Sequence, residues 1–206
     1  WFNKWSKKVL NEINYDLASQ SKMFRILQGD VGTGKTIVAL ISSLNVIESG
    51  YQVAFMAPTE ILANQHYLLA KKIFPNNVKV DLITSKTEPK NKKKIQQKTK
   101  NSNLNMIFGT HSLFQKSIKF DNLGYIIIDE QHKFGVKQRK ALSDKGGINC
   151  DVLLMSATPI PRTLTMAIYG DMDLSIIKEK PNLRKEVRTY SKIENKINDV
   201  IKFVKK

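Results

Sequence analysis

Short apolar runs alternate along the chain with longer stretches in which apolar residues recur every three or four positions. Val9, Leu10, Ile13 and Leu17 share one face of a helix expected over residues 6–19. Residues 25–28 read as a short strand, followed by a glycine turn and an apolar helix over 36–48, with Gly50 placed to end it in a left-handed cap. A buried strand is expected over 53–57 and a helix over 60–74, stopped by Pro75. Alternation of Val78, Val80 and Leu82 gives a third strand. Residues 104–108, 125–128 and 152–155 supply three more. Strands that are apolar throughout and interleaved with helices indicate an α/β fold around a mostly parallel sheet.

The composition shifts near residues 181–184. Beyond that point, 186–190 reads as a strand and 194–205 as an amphipathic helix carrying Ile197, Val200, Ile201 and Val204 on one side. Residues 1–183 are therefore expected to form one lobe, and 184–206 the opening of a second, truncated one. The chain starts at Trp1, consistent with a piece of something longer.

Charge narrows the partners. The 206 residues carry 34 Lys and Arg against 18 Asp and Glu, a net +16, which favours a polyanion because phosphates neutralised by Lys or Arg release counterions. Lys86, Lys90, Lys92, Lys93, Lys94, Lys98 and Lys100 crowd one stretch, read as a solvated helix face or loop, with direct nucleic-acid contact as the alternative. No apolar stretch approaches the ~20 residues that a membrane-spanning helix needs. The single cysteine, Cys150, excludes an internal disulfide and fits a reducing compartment. His66, His111, His132 and Cys150 show no metal-ligand spacing.

Gly29-Asp30-Val31-Gly32-Thr33-Gly34-Lys35-Thr36 has the spacing of a phosphate-binding loop and lies between a strand and a helix. Backbone N–H groups freed by the glycines curl around an anion at the positive end of the helix dipole. Lys35 reaches terminal phosphates, and the Thr36 hydroxyl is a ligand for Mg²⁺. Hydrolysis of ATP also needs carboxylates for the metal and for water. Asp129 and Glu130 supply both at the end of the apolar run 125–128, with strand alternation expected to send Asp129 toward Mg²⁺ and Glu130 toward the attacking water. Two adjacent acids suit a water-activating ATPase better than a kinase.

Together these residues resemble the first RecA-like lobe of a superfamily 2 helicase, which implies a three-layer α/β P-loop NTPase fold. Asp129-Glu130-Gln131-His132 matches the superfamily's second motif, Ser156-Ala157-Thr158 its third and Ala57-Pro58-Thr59-Glu60 the motif called Ia. The longer runs 28–36, 56–66, 109–115, 129–139 and 157–164 are similar to the RecG-type bacterial DNA helicases. The resemblance implies ATP and Mg²⁺ as cofactors and branched or double-stranded DNA as partner, with a monomeric, cytoplasmic and nucleoid-associated protein. It casts Glu130, Lys35 and His132 as catalytic. Pro58, Thr59, Gly109, Thr110 and His111 become DNA contacts, although a Gly-Thr-His turn can equally be structural. Ser156 and Thr158 couple nucleotide to DNA. Arg162 remains open between a solvated cap and a functional role.

Two departures qualify the resemblance. Helicases of this kind carry a Gln upstream of the glycine loop that reads adenine, and the corresponding position holds Lys7. The five arginines, at 25, 139, 162, 184 and 188, do not form the Gly-Arg-x-Gly-Arg pattern of a second lobe, and no wedge domain is present. The chain alone is therefore expected to hydrolyse ATP very slowly. An Mfd-like translocase and a nucleotide-switched DNA-binding module without unwinding are the alternatives to a RecG-type helicase.

Overall fold

The computed structural model describes residues 4–115, 117–130, 150–158, 172–178, 193 and 196–204. Its elements are α1 (Lys4–Leu17), β1 (Phe24–Gly29), α2 (Lys35–Glu48), β2 (Gln52–Met56), α3 (Glu60–Ile73), β3 (Val80–Ile83), α4 (Pro89–Lys100), β4 (Met106–Gly109), a 3₁₀ turn (His111–Phe114), β5 (Leu123–Ile128), β6 (Asp151–Ser156), β7 (Asp173–Ile177) and α5 (Ile197–Val204). The strands form one sheet in the order β3-β4-β2-β5-β6-β1-β7, and every pairing is parallel.

Successive side chains on a strand point to opposite faces, and this alternation divides the core into two layers. Tyr125 and Ile127 of β5, Phe55 of β2 and Phe108 of β4 join Val9, Ile13, Val38, Leu40 and Ala70 from α1, α2 and α3 on one face. Ile126, Ile128, Met56 and Ile107 face the other way, against Ile95 of α4, Leu113 of the 3₁₀ turn and Cys150. The sheet is thus covered on both sides, which explains why its strands read as continuous apolar runs. Local chemistry fixes the helix ends. Gly50, at φ 85°, closes α2 in a Schellman arrangement: its N–H donates to Ile47 O, and Tyr51 N–H donates to Val46 O. Thr59 caps α3, its Oγ1 accepting from Leu62 N–H.

Two expectations change and one open alternative resolves. The first helix spans 4–17 rather than 6–19. The lysine-rich stretch is a helix, α4, that buries only Ile95 and Thr99. The sheet also gains a strand the sequence pattern hides, β7. Its inward positions are Ser175 and Ile177, so one of the two core-facing residues is polar and the apolar alternation is broken. Ser175 is tolerated there because it receives a hydrogen bond from Arg25 of β1 at 2.8 Å. The expected strand over 186–190 and the boundary at 183/184 lie outside the described residues, whereas α5 falls within the expected C-terminal helix.

Candidate functional site

In a parallel sheet all strands deliver their carboxyl ends to one edge, where ligands of α/β folds bind. Here that edge carries Gly29 from β1, Asp129 just past β5, and Ser156 at the end of β6, which lies between them. The phosphate loop and the carboxylate pair are therefore two strand spacings apart, about 10 Å at the strand level, with β6 forming the floor between them.

The loop takes the conformation its glycines permit. Gly32 and Gly34 sit at φ 82° and 92°, a region open to glycine at no steric cost. Gly29 is required for a different reason: a Cβ there would lie 2.7 Å from Thr33 Oγ1 and 3.2 Å from Ile177 O of β7. Thr33 Oγ1 donates to Asp30 O, and Val31 N–H donates to Asp30 Oδ1. The first turn of α2 starts at Gly34 with no side-chain cap, which leaves its leading N–H groups directed at the edge. Lys35 Nζ donates to Gly29 O at 2.6 Å and Asp30 O at 3.0 Å, holding the ammonium within the loop. Burial pushes the Lys35 pKa below its ordinary value, against the opposing pull of Asp129, Glu130 and Asp30.

Asp129 is buried and its carboxylate is fixed on both oxygens. Oδ2 accepts from His66 Nε2 at 2.8 Å, and Oδ1 accepts from Glu130 N–H at 3.0 Å. Its own N–H donates to Met56 O of β2. β5 ends at Ile128, so strand alternation does not set the directions of the two acids as the sequence pattern suggests. Glu130 instead turns into the left-handed region at φ 51°, a conformation unusual for a non-glycine residue and typical of strained functional turns. Gln131 and His132, and the run 159–164 with Arg162, lie outside the described residues.

A sequence profile described as DEAD/DEAH box helicase matches residues 7–167. The chain belongs to the DEAD/DEAH box helicase family. This helicase domain is 51% identical over 200 residues to the ATP-dependent DNA helicase RecG of Aquifex aeolicus, an overlap covering 96% of the chain and 25% of that protein. It is 48% identical to RecG of Thermotoga maritima, over 97% of the chain and 26% of the relative. A solved structure of RecG bound to a three-way DNA junction matches with a TM-score of 0.86 at 42% identity, over 99% of the chain and 27% of the other. A DEAD box protein from Methanococcus jannaschii matches at a TM-score of 0.65 and 21% identity, a likeness of fold, over 98% of the chain and 56% of the other. The fold is accordingly that of the RecA-like helicase lobes. The chain spans about a quarter of the length of the curated relatives it matches.

The remaining candidates of the helicase domain fall on the same edge, in two groups. Ser156 Oγ and Thr158 Oγ1 lie 3.0 Å apart, and Gln28 Nε2, one residue before the phosphate loop, donates to Thr158 O. The 156–158 turn is thus wired to β1. The second group lies on the other half of the sheet: Pro58 and Thr59 follow β2, while Gly109 ends β4 and Thr110 and His111 follow it. Thr59 is exposed while also capping α3. Gly109 has no room for a side chain, since a Cβ would sit 2.6 Å from Ile83 O. Lys7, at the expected adenine position, is exposed on α1.

Sequence reasoning missed three participants. His66 lies on α3 at 8% exposure, its ring 4.7 Å from that of Phe55, and nothing in a helical Gln-His pair announces a carboxylate partner 63 residues away. Gln28 was visible only as the residue before the glycine loop. Glu60 accepts from both the N–H and the hydroxyl of Ser85, joining the Thr59 loop to the turn after β3. The Ser85 hydroxyl, followed by the charge of Lys86, holds the Glu60 carboxyl below its ordinary range.

Proposed function

We propose that this chain is the nucleotide-binding lobe of a RecG-type, ATP-dependent DNA helicase that hydrolyses ATP to remodel branched or double-stranded DNA. The observation that carries the reading is the placement of a glycine-shaped phosphate loop and a carboxylate held on both oxygens at one sheet edge, separated by a single strand. The names and extents of the relatives support it. By the same reading the protein is monomeric, and cytoplasmic in a bacterial cell; among the described residues no helix is long and apolar enough to cross a membrane.

The donor set fits Mg²⁺: hard oxygen ligands, with one carboxylate anchored by second-sphere hydrogen bonds. Thr36 and Asp129 would hold the ion, which would neutralise charge developing on the β- and γ-phosphates. Gly29 to Gly34 wrap the phosphates with backbone N–H groups. Lys35 leaves its two loop carbonyls for the terminal phosphate oxygens. Glu130 accepts the proton of the attacking water, and His132 contacts the γ-phosphate side. Ser156 and Thr158, tied to β1 through Gln28, relay the state of the loop toward Pro58, Thr59, Gly109, Thr110 and His111, which grip the DNA backbone without reading sequence.

Titration calorimetry of the folded chain with Mg-ATP should give a saturable heat that Lys35→Ala abolishes. In the intact protein, Glu130→Gln should retain binding and lose hydrolysis. Absence of any heat with the folded wild-type chain would overturn the reading, and normal turnover in the Gln variant would remove Glu130 from its role as base.

A further inference from the structure

Half of the chain's excess charge is concentrated in 37 residues. Between Thr84 and Phe120 nine lysines face one acid, Glu88, a local +8 out of a total of +16. α1 shows the contrast: its three lysines share the helix with Glu12 and Asp16, and Lys8 pairs with Glu12. On α4, Lys98 pairs with Asp81 and Lys92 Nζ donates to Gln115 Oε1. Lys90, Lys93, Lys94 and Lys100 are exposed and have no acidic partner among the described residues. Like charges at i,i+3 and i,i+4, as at Lys90, Lys93 and Lys94, oppose the helix they sit on. A solvated helix gains nothing from this arrangement, whereas a polyanion laid along it would relieve the repulsion.

The geometry suits a nucleic-acid backbone. Lys93, Gln96, Gln97 and Lys100 of α4 line a shallow groove of about 180 Å³ with Ser117 and Lys119. Lys93 and Lys100 are two helical turns apart, about 10 Å. Duplex DNA carries one charge per about 1.7 Å of axis, so that length passes roughly six phosphates. Ammonium, amide and hydroxyl groups are donors to phosphate oxygens. The groove holds no aromatic or aliphatic side chain of the kind that inserts a helix into a lipid surface. Its far wall belongs to the segment that begins with Gly109, Thr110 and His111, and the Lys92–Gln115 bond ties α4 to that segment.

We infer that the outward face of α4, with Lys119, is a second backbone track for the DNA duplex, running from the Lys92–Gln115 bond beside the carboxyl-edge loops toward the amino edge, where Thr99 and Leu104 meet Gln52 at the start of β2. The inference rests on the DNA reading above. The test measures binding of the chain to a fluorescent 30-base-pair duplex of arbitrary sequence between 50 and 200 mM salt. Lys93→Gln/Lys100→Gln/Lys119→Gln should lower the magnitude of the log K against log salt slope by about 2.7, or 0.9 per lost contact. Affinity at the lowest salt should fall at least tenfold. The charge-matched control, Lys4→Gln/Lys8→Gln/Lys72→Gln, should leave the slope within one contact of wild type. Wild-type binding with an unaltered slope in the track variant, or an equal loss in the control, overturns the track alone. A wild-type chain that ignores the duplex and binds only anionic phosphatidylserine vesicles overturns the DNA reading along with it.

Discussion

Replacing His66 by phenylalanine removes one hydrogen bond and leaves the ring against Phe55 in place. The bond joins a buried donor to a buried carboxylate at 2.8 Å. Hydrogen bonds to charged groups contribute about 1.5–3 kcal/mol, and among the described residues Asp129 keeps the Glu130 N–H on its other oxygen. His66→Phe should therefore destabilise the fold by about 2 kcal/mol. His66→Ala also loses ring packing worth two or three methylenes at about 0.8 kcal/mol each, for a total near 4 kcal/mol. His66→Gln places an amide donor where Nε2 stands and should recover most of the loss. Urea unfolding separates the three variants. Stability alone does not establish the link to the proposed metal ligand, so the second measurement is nucleotide affinity with and without Mg²⁺. Partners that orient metal-binding carboxylates are typically worth 10–100-fold in metal affinity. His66→Phe should weaken Mg-ATP binding within that range, leave metal-free ATP binding nearly unchanged, and be rescued by Gln. A Phe variant with wild-type Mg²⁺ dependence would refute the claim that His66 positions Asp129.

Arg25 holds the edge of the sheet: its guanidinium is bonded to Asp16 of α1 at 2.7 Å and to Ser175 of β7, with Glu12 and Asp173 within 4 Å. Arg25→Met takes the guanidinium from Asp16, while Glu12 keeps Lys8, and should cost about 3 kcal/mol in urea unfolding, the low end for buried pairs because the acids are partly open; a loss below 1 kcal/mol would contradict it. The Cys150 thiol is fully buried and pushed up to about 12, so at pH 8 it holds about a thousandfold less thiolate than at its ordinary value of 9.0. A thiol reagent should label Cys150 only as fast as the chain unfolds, and rapid labelling of the native chain would disprove this. Lys35, with its folded value lowered, contributes stability above its ordinary 10.5 that is lost as pH falls through the lowered value. Just below pH 10.5 part of the Lys35 population is neutral, so ATP binding there should take up protons as the phosphates restore the charge. Identical heats in buffers of different ionisation enthalpy would refute that uptake.

What the sequence disclosed follows from how local each feature is. The phosphate loop lies in eight consecutive residues whose glycines have a backbone reason to be there, and the structure places Gly32 and Gly34 at the positive φ that reason demands. Asp129 and Glu130 were legible because four apolar residues precede them. Partners brought together by topology were not. His66 reads as an ordinary helical residue until β2 and β5 pair side by side. β7 was hidden because Ser175 occupies a core position for Arg25, a residue 150 positions earlier. α4 was ambiguous between helix and loop because Ile95 and Thr99 alone turn inward, too few to make a period. The alternation argument for Glu130 does not apply for a backbone reason, since β5 ends at Ile128, just before the two acids begin.

Gly29 has a neighbour that arrives late. Ile177 pairs with it across the sheet, and its carbonyl and Cβ would crowd a Cβ at that glycine, at 3.2 and 3.3 Å. Because a ribosome makes the chain from the amino end, the complete loop motif emerges long before the strand that braces it. A nascent polypeptide halted short of Asp173 would carry the whole motif without its lateral support.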